Sequence, residues 1–194
     1  MARIGVLAVQ GAFAPHAQVL RRLGHEPVLL RAPEHLEEPL AGLVLPGGES
    51  SVQIDLVARL GLEPGIRAVL GRGAPVLATC AGLILLARDV DVDSAHRQWS
   101  FGVLDVAVVR NGWGRQVDSF EAASEQGRPA IFIRAPRIVR VGAGVEILDR
   151  YRGEPVLVRA GAITAATFHP ELADGDALHR EVFGVADATA SAAE

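Results

Sequence analysis

Pro75-Val76-Leu77-Ala78-Thr79-Cys80-Ala81-Gly82-Leu83 runs from an apolar, strand-like segment straight into a helix-like one, with a cysteine at the corner. A short apolar run bounded by turn signals suits a strand buried on both faces. A tight strand-to-helix turn exposes the residue at its apex as a nucleophile, and it needs small neighbours because backbone passes close to backbone. The pattern predicts a strand over Pro75–Thr79 and a helix over Ala81–Ala87. The start of that helix would turn its positive end toward the sulfur and favour thiolate over thiol. A lone cysteine in an apolar segment is more often a small buried hydrophobe. The strand–Cys–Ala–Gly–helix context is what points to chemistry.

Working outward, the N-terminal half repeats the strand–turn–helix texture. Ile4–Val9 reads as a buried parallel strand, Ala14–Leu23 as a helix stopped by Gly24, and Pro27–Leu30 and Gly42–Leu45 as further strands. A helix should begin near Ser50 or Ser51, and Pro64–Leu70 reads as another. From Phe101 onward β-branched runs take over: Val103–Val109, Ala130–Ile133, Arg137–Val141, Val145–Leu148, Pro155–Val158 and Ala162–Phe168. Short, closely spaced strands suggest hairpins or an antiparallel extension. Asp174–Phe183 reads as a last helix, and residues 184–194, rich in alanine, as a flexible tail after one domain over 1–183. The fold class expected is three-layer α/β: an open, mainly parallel sheet, helices on both faces, and a β-rich second half.

Two other segments fall where such a sheet places a ligand, just past strand carboxyl ends. Phe168-His169-Pro170-Glu171 pairs an imidazole with a carboxylate. If the stretch is extended, positions 169 and 171 share a face. The carboxylate can then hold one ring proton and leave the other nitrogen to accept a proton from the thiol, completing a Cys80–His169–Glu171 triad. Leu45-Pro46-Gly47-Gly48-Glu49-Ser50-Ser51 carries two glycines whose N–H groups can turn toward a ligand, with Ser50 or Ser51 able to cap the next helix. An amide of this loop, with that of Ala81, would form an oxyanion hole.

Composition closes off other classes. The chain has 194 residues with a formal charge of −4. All 19 of its basic residues are arginine, which excludes Schiff-base catalysis and a lysine phosphate loop from its own side chains. A single cysteine excludes an internal disulfide and argues against a multi-thiolate metal site. The mild acidity argues against a nucleic-acid surface. No apolar run approaches a membrane span and no signal peptide is evident, so a cytoplasmic protein is expected. Gly71-Arg72-Gly73 and Gly142-Ala143-Gly144 lack the rest of a dinucleotide fingerprint. His16, His25, His35, His96 and His179 show no metal-ligand spacing, so no metal is expected; only His16, just past the first strand, stays open to a role.

Taken together, Thr-Cys-Ala-Gly at 79–82, Pro-Gly-Gly-Glu-Ser at 46–50 and His-Pro-Glu at 169–171 resemble the class I, triad-type glutamine amidotransferases. Four further stretches make the finer likeness, to the glutaminase subunits of pyridoxal 5′-phosphate synthase. They are Gly5–Gly11, Arg110-Asn111-Gly112-Trp113-Gly114-Arg115-Gln116, Asp118–Glu121 and Phe132–Pro136. The likeness spans residues 4 to 183. It implies hydrolysis of glutamine to glutamate and ammonia, with ammonia passed to a barrel-type synthase subunit in a hetero-oligomer, and no cofactor in this chain. It further implies Cys80 as nucleophile, His169 as base and Glu171 as its orienting acid. Glutamine would be held by Gly47, Gly48, Glu49, Arg110, Ile133 and Arg134, and the oxyanion by Gly48 and Ala81. Ala78, Gly112-Trp113 and Pro15-His16 depart from the family's usual Gly, small-Phe and Glu-His, and Trp113 would set a larger ring beside the glutamine pocket or the partner face. Two other classes are compatible with the elbow: another cysteine hydrolase of the same superfamily, and a non-catalytic regulatory subunit.

Overall fold

The computed structural model describes residues 1–91, 98–113, 119–173 and 175–185. Strand and helix alternate first, as β1 (Arg3–Leu7), α1 (Phe13–Arg22), β2 (Glu26–Leu30), β3 (Gly42–Leu45), α2 (Ser50–Arg59), α3 (Glu63–Gly71), β4 (Val76–Thr79) and α4 (Ala81–Leu86). A strand-rich half follows: β5 (Ala87–Val90), β6 (Leu104–Val109), β7 (Phe120–Ala123), β8 (Pro129–Phe132), β9 (Arg137–Val141), β10 (Glu146–Tyr151), β11 (Glu154–Ala160) and β12 (Ile163–Ala166). The helix α5 (Ala177–Phe183) comes last.

Seven strands form one sheet in the order β10-β11-β12-β4-β3-β1-β2. From β12 to β2 all pairings are parallel, and β10 and β11 extend the sheet antiparallel. Alternation along β4 sorts its side chains onto two faces. Val76 and Ala78 join the core beneath α2, α3 and α4, with Val57, Ile66 and Leu83. Leu77 joins the opposite core, with Leu20 of α1, Leu178 of α5, Phe132 and Phe168. The architecture is therefore the one expected, with helices on both faces of a mainly parallel sheet. Strands β5, β6 and β9 make a small separate sheet, and β7 and β8 a hairpin. Among the described residues no helix is long and apolar enough to cross a membrane.

Differences from the sequence reading lie at element ends and in polar strands. The helix after the elbow stops at Leu86, because Ala87 turns extended to pair with Leu104. Strand β7, Phe-Glu-Ala-Ala, shows no alternation strong enough to announce it. It forms because Phe120 pairs opposite Phe132 and stacks on it, with ring centroids 4.7 Å apart. The last helix starts at Ala177 rather than near Asp174, which itself lies outside the described residues. Ahead of it, Pro170–Leu172 forms a short 3-10 turn. Most of the expected tail, residues 186–194, also lies outside them.

Candidate active site

Three neighbouring parallel strands, β12, β4 and β3, end level with one another, since Ala166 sits opposite Thr79 and Leu45 opposite Ala78. The residues that follow each strand therefore emerge at one edge of the sheet. They are His169 to Glu171, Cys80, and the glycine loop. Cys80 has φ 48° and ψ −103°, in the left-handed half of φ that a residue with a Cβ avoids. Its N–H donates to Ala166 O at 2.8 Å and its C=O accepts from Ile84 N–H at 3.3 Å, so the sheet and α4 hold the turn from both sides. The turn closes only because Gly82 is bare: a Cβ there would lie 1.9 Å from Leu45 O. With six residues, α4 supplies only a small dipole at the sulfur.

His169 Nδ1 lies 2.7 Å from Glu171 Oε1, and Cys80 is close enough to the ring to raise its pKa. The route to this geometry differs from the expected one. The two side chains do not meet across one face of a strand; the 3-10 turn at Pro170–Leu172 folds the carboxylate back under the ring. Burial works against a charged imidazole here, but the neighbouring Cys80 and the hydrogen-bonded Glu171 outweigh it and raise His169 to about 10. Glu171 is buried too, yet His16 and His169 hold its carboxyl below the usual carboxylate range. The site thus keeps a proton on His169 and a charge on Glu171 at neutral pH.

A cavity of about 200 Å³ opens over the sulfur, a volume suited to one small amino acid. Gly47, Gly48, Glu49, Cys80, Arg110, Ile133, Arg134 and His169 all line it. Glu49 and Arg134 face each other at its mouth, 3.4 Å apart and both partly exposed. Arg110 borders it while already bonded to Asp91 at 2.5 Å and Gln98 at 2.6 Å. Ile133 contributes its carbonyl, 3.8 Å from Cys80 Sγ. Ala81 is the first residue of α4, and the amides of a helix's first turn have no intrahelical acceptor. Glu171 stands behind His169, out of the cavity.

Several residues of the site carry no signal in the sequence. Gln10 lines the cavity, and its Oε1 accepts the Glu49 N–H at 2.9 Å. Buried Gln53 donates to Gln10 O and Pro46 O, tying the first turn to the glycine loop. Thr79 Oγ1 accepts the Gly47 N–H at 3.1 Å. Neither Ser50 nor Ser51 caps α2: their hydroxyls go to Gln98 and Glu49, and Glu49 occupies the cap position. Trp113 is not beside the cavity. It packs on Phe120, Phe132 and Tyr151 and donates to Pro136 O at 3.1 Å, because a ring of that size gains more from the aromatic cluster. Ala78 buries its methyl between Leu45 and Ala165 without disturbing β4. Residues 114–116 and Asp118, part of the stretches that carry the resemblance, lie outside the described residues.

An open α/β sheet with a strained cysteine elbow, a histidine and a carboxylate at its carboxyl edge defines the class I amidotransferase type. The chain belongs to the SNO glutamine amidotransferase family, whose sequence profile matches residues 6–186. It is 47% identical to pyridoxal 5′-phosphate synthase subunit PdxT of Thermotoga neapolitana, covering 92% of this chain and 96% of that one. The PdxT protein of Koribacter versatilis is likewise 47% identical, covering 93% of each. A crystal structure described as a glutamine amidotransferase superposes with TM-score 0.84 at 44% identity, over 94% of this chain and 99% of that chain. The PurLQS structure from Thermotoga maritima, at 19% identity, 94% and 98% coverage and TM-score 0.65, shares the fold.

Proposed function

We propose that this chain hydrolyses L-glutamine to L-glutamate and ammonia, and that it supplies the ammonia to a synthase partner that makes pyridoxal 5′-phosphate. The observation that carries the reading is His169, hydrogen-bonded to Glu171 at 2.7 Å, standing with Cys80 in the lining of one amino-acid-sized cavity. Membership of a glutamine amidotransferase family and the likeness to PdxT subunits supply the substrate and the pathway.

In this reading the Cys80 thiolate attacks the side-chain amide carbon of glutamine. Gly48 and Ala81 amides take the charge that develops on oxygen, each such donor contributing about 2.7–4 kcal/mol in the transition state. Protonated His169 gives its proton to the departing nitrogen, releasing ammonia and leaving a glutamyl thioester. His169, now neutral, takes a proton from water, whose oxygen attacks the thioester; glutamate leaves, and the Cys80 thiolate is restored beside protonated His169. Glu171 holds the imidazole in register throughout. Glu49 pairs with the substrate's α-ammonium, and Arg110 and Arg134 with its α-carboxylate, for which a guanidinium fork is suited. Gly47, Gly48 and Ile133 complete the pocket with backbone. The partner is a barrel-type synthase subunit in a hetero-oligomer, and the setting is the cytoplasm, where a catalytic thiol stays reduced.

Cys80→Ala tests the reading. The variant should keep its circular dichroism spectrum and melting temperature and release no ammonia from glutamine; full activity would overturn the assignment. A glutamine-mimicking electrophile should label Cys80, and glutamine should protect it. Glutamine hydrolysis should be slow alone and rise when the partner is added, because nothing in this chain consumes ammonia.

A further inference from the structure

Behind the triad lies a second buried line of side chains that the reaction above does not use. His16, from α1, and His179, from α5, are both fully buried. His16 Nε2 lies 3.2 Å from Glu171 Oε2 and 3.2 Å from Thr79 Oγ1. On its other side His16 Nδ1 lies 2.7 Å from His179 Nε2. Glu171 Oε2 is buried with no well-aligned hydrogen bond among the described residues, so the oblique N–H of His16 is its polar neighbour.

The proton positions follow from these neighbours. A bare Nε2 on His16 would aim its lone pair at a carboxylate, so the proton sits on Nε2, shared between Thr79 Oγ1 and Glu171 Oε2. His16 Nδ1 is then an acceptor, and His179 donates to it from Nε2. His179 Nδ1 is left bare and buried, without a partner among the described residues. Burial lowers the pKa of both rings, so both stay neutral. The groups facing them are Glu171 and His169 around His16, and Arg22 and Asp176 beyond His179.

We propose that His16, backed by His179, is a positioning residue of the triad: it clamps Glu171 Oε2 so that Oε1 stays on His169 Nδ1. Through Thr79, which also accepts the Gly47 N–H, the same clamp ties the carboxylate to the glycine loop. Helices α1 and α5 and the strand β4 are thereby locked to the orientation of one carboxylate. The inference rests on the triad reading of His169 and Glu171.

His16→Leu removes the N–H while keeping an apolar filler, and His16→Gln restores a donor at a similar reach. With Leu, Glu171 loses its clamp and His169 loses part of what raises its pKa. The alkaline limb of kcat for glutamine hydrolysis, which reports the proton on His169, should move down by about one pH unit. The value of kcat at pH 8 should fall by about 10-fold, with KM within about two-fold, and Gln should return the limb toward the wild-type position. A folded His16→Leu variant with the wild-type alkaline limb overturns the proposal, since a purely structural role would lower only the melting temperature. In ¹⁵N-histidine spectra of the wild-type protein, His16 and His179 should both be neutral and protonated on Nε2 from pH 6 to 8. A His16 protonated on Nδ1, or one that becomes charged in that range, also overturns it, whether or not the variants fold. Because these spectra need no turnover, they separate failure of the clamp from failure of the glutaminase reading, which the wild-type activity decides.

Discussion

Gly47 shows how closely the site is fitted at single residues. A Cβ on it would lie 2.1 Å from His169 Cε1, so only hydrogen fits between the glycine loop and the imidazole. Gly47→Ala should push the ring off its line with Cys80 and lower kcat by about 100-fold, the usual cost of a displacement near 1 Å in a reacting group. Steady-state kinetics beside a melting curve would separate this from unfolding, and an unchanged kcat would show that the imidazole is not the base. Arg134 makes a different case. Its guanidinium is half exposed and its ion pair with Glu49 is long, so its removal should leave stability within about 0.5 kcal/mol. If it holds the substrate carboxylate, Arg134→Ala should raise KM by about 10-fold or more with kcat little changed. The motif residues at this scale were readable because chemistry restricts them: a nucleophile, a base and bare glycines have few substitutes. Gln10 and Gln53 were not, and His16 was legible only as a residue open to a role, because each acts through a partner distant in the chain.

At the scale of elements, the close approach of α4 to β3 decides whether the elbow closes. Gly82→Ala would force a methyl against Leu45 O, and backbone cannot yield as a side-chain tip can. We expect a loss of about 1–3 kcal/mol in urea unfolding and reduced activity, since the same displacement moves Cys80. The hairpin of β7 and β8 supplies the opposite wall. Phe132 is fully buried among Phe120, Trp113, Tyr151 and Phe168. Phe132→Ala should cost about 3–5 kcal/mol, and loosen Ile133 and Arg134 at the pocket. Most helices and strands with clear apolar periodicity were legible within a residue or two at either end; β10 runs three residues past Leu148 and α5 starts three after Asp174. Strand β7 was not, because its identity comes from the ring it stacks against, and the turn at Pro170–Leu172 was not, because an X-Pro pair fits an extended or a turned chain equally well.

Across the whole molecule, the buried histidines link folding to pH. Burial holds His179 at about 3 against an ordinary 6.5, so between these values the unfolded chain binds a proton that the native one refuses. Stability should therefore fall as pH drops from about 6.5 toward 3, and His16, shifted the same way, adds to the slope. His169 is opposite in sign. Raised to about 10, it contributes stability that is full below 6.5 and lost as pH climbs toward 10. Glu171, with its carboxyl held below the usual range, contributes stability above its ordinary pKa that is lost in acid. Denaturation midpoints measured from pH 4 to 10 should peak near about pH 6.5, and His179→Leu should flatten the acid side. A profile that is flat between pH 4.5 and 7 would count against neutral burial of the pair.

What the sequence alone determined is the alternation of buried strands and helices and the three segments that carry reactive groups, because both are written in local patterns of apolar spacing and residue type. The lack of lysine also stands as a statement of sequence: any Schiff-base chemistry in the proposed pathway cannot use these side chains. Tertiary structure alone decided that those segments end level on adjacent strands, that a 3-10 turn aims Glu171 at His169, and that His16 and His179 meet behind it. Those are contacts between residues up to 163 apart in the chain, and no local pattern encodes them; they exist only once the sheet order has brought α1, β4 and α5 to one place.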